Sequence, residues 1–168
     1  NLRPSLGSFG QYDRLLEALS EAHDLARSID DETTATFANV VKTHVLYQCG
    51  DVKVGVEFGQ ETVDLARSFN EERLIISAKA NLAMALFFHG QVRAAVEHIA
   101  EFVEPLRTTY RHENLGTTGT SSVNWIANLC GMYTNLGEFD KAKAYCDEAL
   151  DIARETGKPF DPVMATQW

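Results

Sequence analysis

The segment GEFDKAKAYCDEALDIAR, residues 137–154, repeats a pattern that occurs three times earlier in the chain. The other copies are GQYDRLLEALSEAHDLAR at 10–27, GDVKVGVEFGQETVDLAR at 50–67 and GQVRAAVEHIAEFVEPLR at 90–107. Successive copies begin 40, 40 and 47 residues apart. A fixed period of this size is typical of solenoid proteins, in which each unit stacks on its neighbours.

Each copy starts with a glycine and continues with apolar residues at three- and four-residue steps, which predicts an α-helix. The segments that precede the later glycines, TTATFANVVKTHVLYQCG, ISAKANLAMALFFHG and SSVNWIANLCGMYTNLG, also predict helices. The repeating unit is therefore a helix, a glycine turn and an antiparallel helix, with a left-handed glycine ending the first helix. Three copies carry a small residue five positions after the glycine, which predicts a close approach of the two helices: Gly55, Ala95 and Ala142.

These patterns predict an all-α solenoid of antiparallel helix hairpins that forms a single domain over residues 1–168. The predicted repeats are a partial one at 1–29, then 31–69, 71–107 and 121–156, followed by the start of a further helix at 159–168. Because the sequence begins with Asn1 and ends within an apolar run, we interpret it as a fragment of a longer protein.

The composition argues against several classes of function. The formal net charge of −9 disfavours binding to nucleic acid and to anionic membranes, which reward clustered Lys and Arg. The three cysteines are irregularly spaced and indicate a reducing, cytoplasmic location. The five histidines show no metal-ligand spacing, and no catalytic motif is visible. We therefore expect a protein that is not an enzyme and has no metal and no cofactor.

The repeat resembles the tetratricopeptide repeat family. The fourth copy carries the residues of that family's signature at the matching positions: Leu129, Tyr133, Gly137, Phe139, Ala142 and Ala149. The period of 40 residues exceeds the family's usual 34, which indicates longer helices. The resemblance implies a right-handed superhelix whose concave groove is lined by the first helix of each hairpin and binds a protein or peptide partner.

Mapped by their distance from each turn glycine, the groove residues implied by this resemblance are Phe37, Val41, His44, Ser77, Ala80, Asn81, Met84, Phe87, Asn124, Asn128 and Gly131. Asn81 and Asn128 both lie nine residues before their glycine and are expected to stack as an amide ladder along an extended ligand. The family often captures a terminal carboxylate with groove lysines. Here Lys79 lies two residues before Asn81 and so faces elsewhere, which argues against such capture.

A seven-residue insertion separates the third and fourth copies and falls in TTYRHENLGTTGT, residues 108–120. Pro105 is expected to kink or end the helix before it. Two interpretations of the insertion stay open. It is either a loop site formed by Arg111, His112, Glu113 and Asn114, or a surface excursion that an Arg–Glu pair pins to a neighbouring helix, which is the interpretation that we favour.

A narrower resemblance is carried by LRPSLGSFGQYDRLLEALSEAHDLA, RHENLGTTGTSSVNWIANLCGMYTNLGEFDKA and GKPFD. These stretches are similar to the C-terminal repeats of bacterial multidomain signalling proteins that contain a nucleotidyl cyclase and a P-loop ATPase domain. The resemblance implies a non-catalytic regulatory module that binds a protein, a peptide or another domain of the same chain. The alternatives are a small-molecule effector sensor and a self-association module that dimerises through the end hairpins.

Overall fold

The computed structural model describes residues 10–117 and 119–168, and within them all regular secondary structure is helical. The chain divides into two compact units, Asn1–Gly90 and Gln91–Trp168. The division falls inside the third predicted repeat, 71–107. The start of the partial first repeat, residues 1–9, and Thr118 of the insertion lie outside the described residues.

The first unit contains four helices of similar length: α1 Tyr12–Ser28, α2 Glu32–Cys49, α3 Val52–Ser68 and α4 Glu72–Phe88. Helix α2 packs against α1, α3 and α4, and α4 also packs against α3. The first helices of the second and third predicted repeats, α2 and α4, therefore lie side by side, and α3 contacts both of them.

The turns of the first unit are of two kinds that alternate along the chain. The turn glycine Gly50 has a φ of 101° at the end of α2, which confirms the predicted left-handed glycine. The turns after α1 and α3 instead use Asp30 and Asn70, whose φ values are 58° and 52°. Asp and Asn are the non-glycine residues that tolerate this conformation best. Both types of turn thus recur with the 40-residue period.

Small residues allow the helices of this unit to approach closely. A Cβ atom added to Gly55 would lie 3.4 Å from the backbone nitrogen of Tyr47 on α2, as the sequence pattern predicted. One turn later, a Cβ atom on Gly59 would lie 2.9 Å from the Thr43 side chain on α2 and 3.3 Å from Leu82 on α4. Gly59 therefore sets the spacing of three helices, although the sequence pattern did not single it out.

The second unit contains α5 Val92–Ala100, α6 Val103–Arg107, α7 Ser121–Asn135, α8 Phe139–Thr156 and α9 Asp161–Ala165. Helix α7 forms a hairpin with α8 and also packs against α5, α6 and α9. The predicted effect of Pro105 is confirmed, because the helix is interrupted at Glu101 and Phe102. Proline lacks the N–H that would bond to the carbonyl of Glu101 and its ring crowds that carbonyl.

The core of the second unit is made by apolar side chains from four of its helices. Fully buried side chains come from α5, α6, α7 and α8: Ile99, Leu106, Ile126, Leu129, Met132 and Ile152. Ala142 and Ala149 are also buried, and the burial of Ala142 is in keeping with its predicted place at the close contact of the α7–α8 hairpin. Among the described residues, no helix is both long and apolar enough to cross a membrane.

Candidate interaction surface

The predicted groove residues of the first unit lie on α2 and α4, and we call the surface that they form the α2–α4 wall. Phe37 is 39% exposed, and Val41, His44, Asn81 and Phe87 are half-buried. The other predicted members are buried: Ser77, Ala80 and Met84. The exposed part of the wall is therefore mainly aromatic and apolar.

Four rings form an aromatic cluster at the C-terminal end of this wall: His44, Tyr47, Phe87 and Phe88. Tyr47 stacks on Phe88 with ring centroids 5.3 Å apart and makes an edge contact with His44 at 5.0 Å. Phe87 contacts Phe88 edge-on at 5.5 Å. The Tyr47 hydroxyl and Nδ1 of His44 lie 2.6 Å apart in a hydrogen bond. The cluster joins α2 to α4, because each helix supplies two of its rings.

Within this cluster Phe88 is the member that solvent reaches most, with 52% of its surface exposed. The sequence-based mapping placed Phe87 on the groove but not Phe88, whose stacking on Tyr47 depends on the spacing of two helices. An exposed phenylalanine in a fixed orientation presents a flat apolar surface to a partner.

The polar side chains of the wall bond mainly to their own helix. The Asn81 amide donates to the Ser77 carbonyl oxygen at 2.9 Å, and the Ser77 hydroxyl donates to the Arg73 carbonyl oxygen at 2.9 Å. Arg73 itself is exposed and lies one turn before Ser77, so it extends the same helix face. The sequence-based mapping of groove residues on α4 began at Ser77 and therefore did not include Arg73.

Unlike those of the first unit, the predicted groove residues Asn128 and Gly131 of the second unit are covered by another part of the chain. Asn128 is 5% exposed. Its Oδ1 accepts hydrogen bonds from Nε1 of Trp168 at 3.2 Å and Nε2 of Gln167 at 3.4 Å, and its amide nitrogen donates to Oδ1 of Asn124 at 3.1 Å. The indole ring of Trp168 lies over Gly131. The chain itself thus covers this face of α7.

The insertion is held by hydrogen bonds to α8 and to the segment after it. Arg111 donates from Nε and Nη2 to a carboxylate oxygen of Glu155, at 3.0 and 2.7 Å. Nζ of Lys158 donates to the carbonyl oxygen of His112 at 3.1 Å. The Asn114 amide donates to the carbonyl oxygens of Thr117 and Gly119, both at 2.8 Å. The contacts of Arg111 and His112 attach the loop to α8 and to the segment after it, whereas those of Asn114 close the loop on itself.

Asp161, the first residue of α9, is fully buried and accepts hydrogen bonds from Thr120 at the end of the insertion. Its Oδ1 accepts from the Thr120 backbone N–H at 2.9 Å, and its Oδ2 accepts from the hydroxyls of Thr120 and Thr156, both at 2.6 Å. Burial raises the pKa of the Asp161 carboxyl, but the hydrogen bonds from Thr120 and Thr156 outweigh it, so that the pKa lies below its usual value. The ionised carboxylate therefore fastens α9 to the N-terminus of α7.

A stacked row of charged and aromatic side chains also joins α6 to the α7–α8 hairpin. The Arg107 guanidinium makes a bidentate contact with Glu148, at 2.7 and 2.8 Å, and lies 5.7 Å from the centre of the Tyr145 ring. Tyr145 stacks on Tyr133 at 5.3 Å, and Nζ of Lys141 lies 5.2 Å from the Tyr133 ring. The Glu148 hydrogen bond raises the pKa of Arg107 above its usual value.

The ionisable groups offer no arrangement for metal-dependent chemistry in the part of the chain that the structure describes. No group of three or more His, Cys, Asp or Glu residues in 10–117 and 119–168 is placed to hold a metal ion. All three cysteines are free thiols. Burial, together with the neighbouring Cys146 thiol, raises the pKa of Cys130 to about 11, so that Cys130 stays protonated near neutral pH.

Comparison with known proteins supports the interpretation of the repeats. A family model described as Tetratricopeptide repeat matches residues 124–156, which include most of α7 and all of α8. A solved structure with nearly identical TPR-like repeats, from a Podosopora anserina protein assigned as a kinesin light chain, superposes with a TM-score of 0.73 at 18% identity. This match covers 98% of the present chain and 78% of the other.

A second solved structure, BtubC (BKLC) from P. vanneervenii, matches with a TM-score of 0.70 at 15% identity and covers 92% of this chain and 62% of that one. No curated protein matches the sequence. The chain has a tetratricopeptide-like repeat fold. The predicted all-α class of helix hairpins in a repeat solenoid is thereby confirmed. Tetratricopeptide repeats are in general non-catalytic modules for protein–protein interaction.

Proposed function

We propose that this tetratricopeptide-like chain is a non-catalytic interaction module of a larger bacterial signalling protein in the cytoplasm, and that it binds a protein or peptide partner along the α2–α4 wall. The observation that carries the proposal is the partial exposure of Phe37 and Phe88 on neighbouring first helices. Aromatic anchors of this kind supply much of the binding energy at protein interfaces.

The dimensions of the wall suit an extended peptide. Phe37 and Tyr47 are ten residues apart on α2, which corresponds to about 15 Å along a helix. An extended chain covers about 3.3 Å per residue, so about five residues of a peptide would span the distance from Phe37 to the aromatic cluster. Apolar side chains of the peptide would contact Phe37 at one end and Phe88 at the other.

The electrostatics of the wall favour a partner segment with little net negative charge. The chain as a whole carries a formal charge of −9, which repels acidic partners at low ionic strength. We therefore expect apolar contacts to determine the affinity, and the overall charge to affect mainly the rate of association.

The proposal is tested by affinity capture from a lysate of the source organism, with bound species identified by mass spectrometry. The wall variant is Phe37→Ala with Phe88→Ala. The matched control, Phe139→Ala with Leu65→Ala, removes two large apolar side chains that are at least 38% exposed but lie outside the wall. Circular dichroism and thermal unfolding establish that both variants are folded.

We expect a partner that is retained by the parent chain and by the control but is reduced about tenfold or more on the wall variant, since two anchors are lost. Equal capture by both variants would contradict the assignment of the wall. A small molecule retained without any protein would replace the proposal with an effector-sensing function. Capture of further copies of this chain alone would replace it with self-association.

A further inference from the structure

The contact inside the α7–α8 hairpin carries a pair of cysteines. Cys130 lies seven residues before the turn glycine of this hairpin, and Cys146 lies nine residues after it. In the α2–α3 hairpin, Thr43 and Gly59 lie at the same distances from their own turn glycine. A Cβ atom added to Gly59 would lie 2.9 Å from the Thr43 side chain. The repeat therefore places these two positions against each other across a hairpin.

Other contacts of the α7–α8 hairpin agree with this register. Tyr133, three residues after Cys130, stacks on Tyr145, the residue before Cys146, with ring centroids 5.3 Å apart. Cys130 is 6% exposed, and burial together with the side chain of Cys146 raises its pKa to about 11. The two thiols are thus neighbours on facing helices.

The spacing of packed helices suits a disulfide between such positions. Helix axes at a contact are about 8–10 Å apart, and each Cα atom lies about 2.3 Å from its axis. Directly opposed Cα atoms are then about 3.5–5.5 Å apart, and positions offset along the axes are farther apart. A disulfide requires a Cα separation of about 4.4–6.8 Å, so facing cysteines can be joined without moving the helices.

The cysteines differ in how far solvent reaches them. Cys146 is half-buried, whereas Cys130 is buried. Cys49, the third free cysteine, lies in the first unit, where its thiol donates to the Leu46 carbonyl oxygen at 3.3 Å. A dissolved oxidant therefore meets Cys146 before Cys130, and Cys130 is the thiol beside it.

We propose that Cys130 and Cys146 form a redox modification site, at which a peroxide converts the two thiols into a disulfide that cross-links α7 to α8. Disulfides of cytoplasmic proteins are usually transient and redox-sensing, and thiol reductants reopen this one by exchange. The site lies in the contact between two helices and not on the α2–α4 wall. It holds or fails whether or not that wall binds a partner.

The reaction has two steps. The Cys146 thiolate attacks one oxygen of hydrogen peroxide, the O–O bond breaks, and the departing hydroxide takes up the proton that Cys146 lost, which gives a sulfenic acid and water. The Cys130 sulfur then attacks the sulfenic acid sulfur. The S–S bond forms, the S–O bond breaks, and the hydroxyl group leaves as water with the proton of Cys130. The two thiols lose two electrons in total, and the peroxide gains them.

The test uses the full chain with Cys49→Ala, in dilute solution, with hydrogen peroxide as the probe. The matched control adds Cys146→Ala and Ala144→Cys, so that its composition is the same but one thiol is moved by two residues. Ala144 is exposed, and residues two apart lie on different faces of a helix. Circular dichroism establishes that both chains are folded. Alkylation counts the free thiols, and peptide mapping by mass spectrometry locates the disulfide.

We expect the Cys49→Ala chain to lose both thiols, to yield one cross-linked species that contains Cys130 and Cys146, and to recover both thiols in dithiothreitol. The control should form an internal disulfide at least about tenfold more slowly, because its thiols are not held together. In Cys49→Ala with Cys130→Ala, no second thiol is present. The sulfenic acid of Cys146 should therefore persist and be captured by dimedone.

Three results would overturn the proposal. The first is that the Cys49→Ala chain keeps both thiols under conditions that fully oxidise free glutathione. The second is that the control closes as fast, because chance encounter would then explain the bond. The third is that Cys130 and Cys146 are joined only between separate chains, or that Cys146 is converted to sulfinic acid while the Cys130 thiol stays intact.

Discussion

The α2–α4 wall and the α7 face occupy the same positions of the repeat but differ in what covers them. His44 and Gly131 both lie six residues before their turn glycine. His44 is half-buried in an aromatic cluster that solvent still reaches at Phe88, whereas Gly131 lies beneath Trp168. The repeat position determines which face of a helix a residue occupies, but the neighbouring chain determines whether that face is accessible.

The two units also differ in how their helices are connected. In the first unit, short turns with Asp30 and Asn70 at positive φ are sufficient. In the second, a long insertion is fastened by Asp161 and Lys158, which follow α8. The second unit therefore depends on a few buried polar contacts between distant parts of the sequence, and substitutions there should destabilise the chain more than comparable ones in short turns.

The largest expected effect is that of Gly119→Ala. Gly119 has a φ of 84°, and a Cβ atom on it would lie 2.6 Å from Oδ1 of Asp161. We expect the free energy of unfolding to fall by about 3 kcal/mol or more, from backbone strain and displacement of the carboxylate. The control Gly137→Ala has a φ of 74° and open space around its Cβ, so it should cost only about 1–2 kcal/mol. Urea unfolding measures both, and equal losses would contradict the role of Asp161.

The sequence was sufficient to predict the hairpins and the glycine turns, because these follow from helical periodicity and the repeat. It was not sufficient for Asp161 or Trp168. Their partners Thr120 and Asn128 lie 41 and 40 residues away, and no local pattern connects them. Phe88 was not placed on the groove for a related reason, since its stacking depends on the packing of α2 against α4.

The next largest effect is expected for Asp161→Asn. The substitution replaces a carboxylate oxygen by an amide N–H₂ that cannot accept from Thr120 or Thr156. We expect a loss of about 2–3 kcal/mol in the free energy of unfolding, as is typical for a buried charged acceptor. Asp151→Asn provides the control, because its ion pair with Arg154 is exposed and should contribute about 0.5 kcal/mol or less. Similar losses in both variants would show that Asp161 is not the anchor.

The same carboxylate should make stability depend on pH. The pKa of Asp161 is lowered in the folded chain, so its contribution is present above the pKa of an unfolded Asp, about 3.9. It is lost as the pH falls through the lower folded pKa. In urea unfolding from about pH 7 to about pH 2, the difference between the parent chain and Asp161→Asn should narrow below about pH 4. A constant difference would mean that Asp161 is not ionised in the folded state.

A smaller effect is expected for Arg107→Lys. Lysine keeps the charge but cannot form the bidentate contact with Glu148 or present a flat face to Tyr145. We expect a loss of about 1 kcal/mol in chemical denaturation. Arg154→Lys alters an exposed pair with Asp151 and should change stability by about 0.5 kcal/mol or less. If the two substitutions have the same effect, the stacked row contributes nothing beyond a surface ion pair.

The most direct test of the central proposal is hydroxyl-radical footprinting of the chain alone and in complex with the captured partner, read residue by residue by mass spectrometry. If the α2–α4 wall binds the partner, oxidation of Phe37 and Phe88 will fall in the complex, because side chains at the centre of an interface are shielded from solvent. Oxidation of Phe139, which is 67% exposed and lies outside the wall, will be unchanged. Unaltered oxidation of Phe37 and Phe88 in a saturated complex would contradict the proposed function.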